Sequence, residues 1–279
     1  MNSTHSQTTI RIGGVPEHFN LPWKLSIESG SLSQFNINAS WTDFHSGTGA
    51  MVQSLNDGSI DVATLLTEGA ISALSQNNCQ FELFSFYTKT PLIWGVHSPA
   101  NSNIKTPDDI KNATFVISRF GSGSHLMAFL LAESLGMNLE ALQFKVINNL
   151  DGARELFKGG GDYVFLWEKF MTKPYVDNGE MQRITDFPTP WSCFVTCVRK
   201  TILESYKDKI NLAMQSVLQT ANELKCSPLA LKIIARDYGL TTNDVNEWLK
   251  TIQWQTEVSL HEKTINAVKI KLKQLKLIA

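Results

Sequence analysis

Two stretches of the chain, LNDGSIDVATLLTEGA (Leu55–Ala70) and LFKGGGDYVFLWEKF (Leu156–Phe170), read alike. Each sets a Leu, a Gly and an Asp three residues apart: Leu55, Gly58 and Asp61, then Leu156, Gly159 and Asp162. An apolar run follows and ends in a glutamate, Glu68 or Glu168. The Leu and Gly have the spacing of a helix end, since glycine commonly terminates a helix. The Asp falls in the turn. IDVATLL and DYVFLW are continuous apolar runs of strand length, the pattern of a parallel strand covered on both faces. One helix–turn–buried-strand unit is therefore written twice.

The surroundings extend this alternation. TTIRIGGV and FNINASWTDF alternate as strands, with a short helix between them over HFNLPWKLSIESG. TFVISRF and LQFKVINN are strands flanking GSGSHLMAFLLAESLGM, a Gly/Ser turn that opens a helix. FELFSFYT, PLIWGVHS and SCFVTCVRK add strands, and from Thr201 the pattern is helical almost to the end. Strand–helix alternation builds parallel-rich sheets flanked by helices. The expectation is an α/β fold of two lobes with a cleft between them, followed by C-terminal helices. A length of 279 residues suits two cores better than one.

Composition narrows the function. At 43% hydrophobic and 18% charged residues, wholesale disorder is excluded. A net charge of −1 offers no basic surface for nucleic acid. No run approaches the roughly 18 apolar residues of a membrane span. The opening MNSTHSQTTIRIGGV lacks the basic start and apolar core of a secretory signal, so a cytoplasmic protein is expected. Cys79, Cys193, Cys197 and Cys226 form no CxxC and read as reduced thiols. A strand would hold Cys193 and Cys197 about 13 Å apart, too far to share a metal. The six histidines, His5, His18, His45, His97, His125 and His261, have no metal-site spacing. No G-x-S-x-G elbow, P-loop or dinucleotide fingerprint occurs. No catalytic residue, metal or cofactor is expected, and a monomer is favoured.

In open α/β sheets, ligands bind beyond the C-terminal ends of the strands. The turns there supply the candidates: His18 and Phe19 after the first strand, Gly47 and Thr48 after the second, Thr67 and Glu68 after IDVATLL. In the second lobe they are Gly121, Ser122, Gly123, Ser124 and His125, then Trp167 and Glu168. Trp191 stands where the chain re-enters the first lobe. The Gly121–Ser124 turn fits an anion, because free amides at a helix start attract negative charge, and Arg119 lies two residues upstream. The other reading is an ordinary tight turn. His18 and His125 are candidate switchable donors. Phe19, Trp167 and Trp191 are candidate enclosing aromatics. The two glutamates are either ligand groups or solvated helix caps.

Taken together, GTGAMVQSLNDGSIDVATLLTEGA, GSGSHLMAFLLAESLGM and DGARELFKGGGDYVFLWEKF resemble the type II periplasmic-binding-protein fold. Within it they are similar to the branch of alkanesulfonate and taurine binding proteins, thiamine-precursor binding proteins and the fungal thiamine-pyrimidine synthase. The resemblance covers roughly Thr9 to Arg199. It implies lobe I over 1–95 and 197–279, lobe II over 96–196, and hinge strands near 92–98 and 190–197. It also implies a small-molecule binding protein that closes on an anionic or heteroaromatic ligand, sulfonate-like or thiamine-pyrimidine-like. The alternatives are a thiamine-precursor enzyme and an exported transporter component. The synthase's CCCFC run is absent, which counts against its chemistry, and the missing signal fits cytosolic fungal-type members better than a transporter part.

Overall fold

A computed structural model describes residues 7–76 and 78–279. Residues 1–6, including His5 and the start of the expected first lobe, lie outside the described residues. The chain divides into two compact units. Among the described residues, unit 1 comprises 7–76, 78–90, Ser192–Tyr238 and Val245–Ala279; unit 2 comprises Pro91–Trp191 and Gly239–Asp244.

The sheet of unit 1 has five strands: β1 (Thr8–Gly14), β2 (Ile37–Asp43), β3 (Val62–Leu66), β4 (Phe81–Phe86) and β10 (Phe194–Arg199), in the order β2-β1-β3-β10-β4. β1 pairs parallel with β2 and β3, whereas β10 is antiparallel to both its neighbours. Unit 2 repeats the plan with β5 (Ile93–Pro99), β6 (Thr114–Ile117), β7 (Gln143–Val146), β8 (Tyr163–Glu168) and β9 (Met181–Pro188), in the order β7-β6-β8-β5-β9. The β7-β6-β8 segment is parallel, and β5 is antiparallel to β8 and β9. In each sheet the antiparallel strand beside β3 or β8 is the first strand after the chain enters the unit.

The repeated phrase occupies equivalent places in these sheets. Leu55 lies in α2 (Thr48–Asp57), which ends at Gly58 in the left-handed region (φ 83°). Leu156 lies in α5 (Leu150–Lys158), where Gly160 takes the left-handed step (φ 68°), one residue after Gly159. β3 and β8 follow, each next to the antiparallel strand. The two aspartates differ. Asp61 is buried and accepts from the Arg11 amide at 2.9 Å and from its guanidinium at 2.9 and 2.7 Å. Asp162 is exposed, and its backbone carbonyl receives Thr114 N at 2.9 Å.

The sequence reading puts the passages between lobes at 95/96 and 196/197, while the units divide at 90/91 and 191/192. β5 and β10 lie whole within the sheet each one enters, so both divisions fall just before them. β9 was not anticipated. It is an edge strand with only Met181 fully buried, so it carries no apolar run.

Helices cover both sheets. In unit 1, α1 (Leu21–Glu28) packs on α7 (Lys200–Cys226), whose buried Ile210, Ala213, Met214, Val217, Leu218, Ala221 and Leu224 recur at helical spacing. α3 (Thr67–Leu74) packs on α10 (Glu262–Gln274). α8 (Pro228–Tyr238) and α9 (Thr242–Thr251) lie between α7 and α10 in the chain. In unit 2, α4 (Gly123–Ser134) and α5 both contact β8, and α6 (Lys173–Asp177) contacts β9. No helix of the described residues is long and apolar enough to cross a membrane.

Candidate functional site

In unit 1 the C-terminal ends of β1, β2 and β3 deliver the expected residues, with different fates. The turn after β1 carries His18 and Phe19 straight into the core. His18 is fully buried, its ring 4.2 Å from Trp248 and 5.5 Å from Tyr238, and burial pushes its pKa down to about 3. It is a neutral packing group at physiological pH. Phe19 stacks on Phe194 at 3.9 Å, and its carbonyl accepts from Tyr87 Oη and Trp254 Nε1 at 3.0 and 3.1 Å. The first turns of α2 and α3 approach closely, which sets Thr48 beside Gly69, next in the chain to Thr67 and Glu68. A Cβ on Gly69 would stand 2.6 Å from Thr48 Cγ2, so a larger residue there makes Thr48 shift. Gly47 needs its freedom for a different reason, at φ 70°. Thr67 is anchored by its amide to Cys193 O at 2.9 Å and by its hydroxyl to Ser192 O at 2.6 Å. Glu68 lies in the first turn of α3 and is buried.

In unit 2 the turn between β6 and α4 is built by its own side chains. Gly121 turns the chain at φ 75°, and its amide donates to His125 Nδ1 at 3.1 Å. That bond fixes Nδ1 as an acceptor, while Phe120, Phe129 and Phe144 surround the ring and burial lowers its pKa to about 4. His125 therefore holds the turn as a neutral imidazole and does not switch near pH 7. Ser122 Oγ accepts the His125 amide at 3.3 Å as the N-cap of α4. Ser124 Oγ accepts the Ser118 amide at 3.0 Å and lies 3.0 Å from Ser122 Oγ and 3.3 Å from Ser118 Oγ. Three hydroxyls share two contacts, which leaves one hydroxyl proton over for another acceptor. The amides of Gly123 and Ser124, first in α4, have no intrahelical acceptor and none elsewhere among the described residues.

Arg119 completes this turn. It is half-buried, and burial lowers its pKa. Its Nη1 reaches only Phe120 O at 3.4 Å, and among the described residues no carboxylate pairs with it. Phe120 is 63% exposed, the most exposed large apolar side chain among the described residues.

At the end of β8, Trp167 stacks on Phe165 at 5.4 Å and is half-buried against the α5 side of the sheet. Glu168 is buried, and its Oε2 accepts the amides of Phe170 and Met171 at 2.8 and 2.6 Å. Burial outweighs those bonds and the nearby Arg183 and Lys169 charges, and raises its pKa to about 8. Trp191 is buried just before the chain enters unit 1, and its carbonyl accepts from Thr189 Oγ1 at 3.2 Å. Sequence reasoning missed the polar network on this sheet. Arg183 on β9 crosses Gly95 to reach His97 Nε2 at 3.3 Å, Lys169 O at 2.6 Å and Thr172 Oγ1 at 3.1 Å. Only the antiparallel register of β5 and β9 places it there, so no local signal announced it.

A cavity of about 290 Å³ at the other end of the sheet is lined by Asn101, Arg154, Phe157, Lys158 and Glu180. Both its cations are paired, Arg154 with Glu180 and Asp151, and Lys158 with Glu155, so it offers no uncompensated charge. Among the described residues no cluster of three His, Cys, Asp or Glu side chains is arranged to hold a metal ion.

Residues 94–187 match the Ca3427-like PBP family. Among solved structures, the Candida albicans CA3427 gene product, which defines a family with the generic periplasmic-binding-protein fold, is 28% identical. That comparison covers 98% of this chain and 91% of the other, with a TM-score of 0.88. The alkanesulfonate-binding protein SsuA from Xanthomonas axonopodis pv. citri, bound to MOPS, is 16% identical over 97% of this chain and 94% of its own, with a TM-score of 0.83. PhnD1 from Prochlorococcus marinus, in complex with methylphosphonate, is 13% identical over 97% and 99%, with a TM-score of 0.63. Curated protein sequences gave no match. The chain has the type II periplasmic-binding-protein fold that the resemblance implied, with the two parallel-rich sheets expected from the repeated phrase.

Proposed function

We propose that this chain is a small-molecule binding protein that takes an organic anion, a tetrahedral oxyanion carried on carbon such as a sulfonate or phosphonate, at the β6–α4 turn. The observation that carries this reading is Arg119, a half-buried guanidinium with no carboxylate partner beside two unused helix-start amides. A partly desolvated cation without a counter-charge is costly, and an anion offsets that cost. The amides of Gly123 and Ser124 open the helix that follows the same turn, and the spare hydroxyl proton of the serine trio adds a donor. The ligands seen in SsuA and PhnD1, MOPS and methylphosphonate, have this chemistry. Exposed Phe120 beside the turn favours a ligand whose anionic head bears an apolar group.

The test is calorimetric titration with methanesulfonate, butanesulfonate and methylphosphonate, using wild-type protein and Arg119→Gln. Loss of a charge-assisted contact weakens binding about tenfold or more. Equal affinity in the variant, or no binding of any of the three by wild type, overturns the proposal.

A further inference from the structure

Unit 2 buries an indole N–H that bonds to nothing among the described residues. Trp94 is 4% exposed, and its Nε1 has no acceptor among the described residues. The equally buried indoles of Trp23 and Trp254 both donate, to Thr64 Oγ1 at 3.0 Å and to Phe19 O at 3.1 Å. An indole nitrogen is a donor only, so Trp94 has no second way to be satisfied. A buried polar group left unbonded in a native fold calls for an explanation.

Strand register says where Trp94 stands. It lies directly opposite Glu168 of β8, and directly opposed residues share a face of the sheet. Residues two and four before Glu168, Leu166 and Val164, share that face, and Val164 pairs with Phe115 of β6. Phe115 packs on Phe144, which packs on Phe129 of α4. This is therefore the face that α4 covers. β5 runs antiparallel to β8, so Trp94, near its start, stands at the end of the sheet where β6 and β8 finish and α4 begins. The opposite carboxyl does not take the indole proton: Trp94 Nε1 has no partner among the described residues, and Glu168 Oε2 accepts the amides of Phe170 and Met171.

We infer that Trp94 is a ligand-contacting residue whose indole N–H donates to an oxygen of the organic anion bound at the β6–α4 turn. The inference rests on the anion site proposed above and adds a donor from a different strand. Two donor directions, one from the helix start and one from β5, fix the orientation of a tetrahedral head as well as its charge.

The experiment replaces the N–H without changing the shape. Site-specific incorporation of 3-benzothienylalanine at position 94 puts sulfur in place of the indole nitrogen, and Trp94→Phe gives a second variant with a smaller ring. Both are titrated with methanesulfonate and methylphosphonate beside wild type and Arg119→Gln, and unliganded melting temperatures are recorded. The expected result is about a tenfold loss of affinity for the benzothienyl protein. Its unliganded melting temperature should be unchanged or higher, because an unbonded buried donor has been removed. Unchanged affinity in the benzothienyl protein overturns the role of Trp94, whatever Trp94→Phe does to folding. If Arg119→Gln loses binding while the benzothienyl protein does not, this assignment alone fails. If wild type binds neither anion, both the site and the assignment fail.

Discussion

Replacing Glu168 by glutamine isolates one buried proton. The carboxyl is fully enclosed at the end of β8, and burial raises its pKa to about 8 in the folded protein against an ordinary value of 4.5. Between these values the folded chain holds a proton that the unfolded chain has lost. The resulting stability is fully present below pH 4.5 and is lost as pH rises through 8. One pKa unit corresponds to about 1.4 kcal/mol, so the interval from pH 5 to pH 8 is worth roughly 3–4 kcal/mol. Glutamine is neutral throughout and keeps a side-chain oxygen for the amides of Phe170 and Met171. Glu168→Gln should therefore match wild type near pH 5 and exceed it by roughly 3 kcal/mol at pH 8. The assay is urea unfolding followed by tryptophan fluorescence at unit intervals from pH 5 to 8. His18 and His97, both lowered to about 3 by burial, titrate with the opposite sign and cancel in the difference between the two proteins. A difference that stays constant across this range would refute the reasoning.

Two further perturbations test local parts of the account. Gly69→Ala places a methyl 2.6 Å from Thr48 Cγ2 and should cost about 1–3 kcal/mol in urea unfolding; Thr48→Ser removes that carbon and should restore most of it, and no rescue would mean the two helix starts do not constrain each other. Phe120→Ser removes the exposed ring beside the turn, so calorimetry should show butanesulfonate losing more affinity than methanesulfonate, by about 1 kcal/mol; equal losses would deny the ring an apolar contact.

The parallel half of each sheet was legible because its signals are local. Apolar runs such as IDVATLL and DYVFLW are bounded by Gly and Asp, and they appear as β3 and β8 in equivalent positions. The antiparallel half was not, because β10 and β5 pair with partners far along the chain and β9 is polar at its edge. At the sites, small residues before an apolar helix marked the Gly121–Ser124 turn. Sequence position placed His18 and Phe19 after β1, but their burial depends on Trp248 and Phe194, some 230 and 175 residues away in the sequence, a contact no local pattern encodes. The same holds for Arg119 and Trp94. Their types and positions are plain in the sequence, but the missing carboxylate and the missing acceptor exist only in three dimensions.

The central claim is that an organic anion binds at the β6–α4 turn, and the most direct test is a crystal structure of the protein grown with methylphosphonate. The account predicts density for the tetrahedral head within hydrogen-bond distance of the Gly123 and Ser124 amides and the Arg119 guanidinium. Methylphosphonate bound elsewhere on the chain, with this turn holding none, would contradict it.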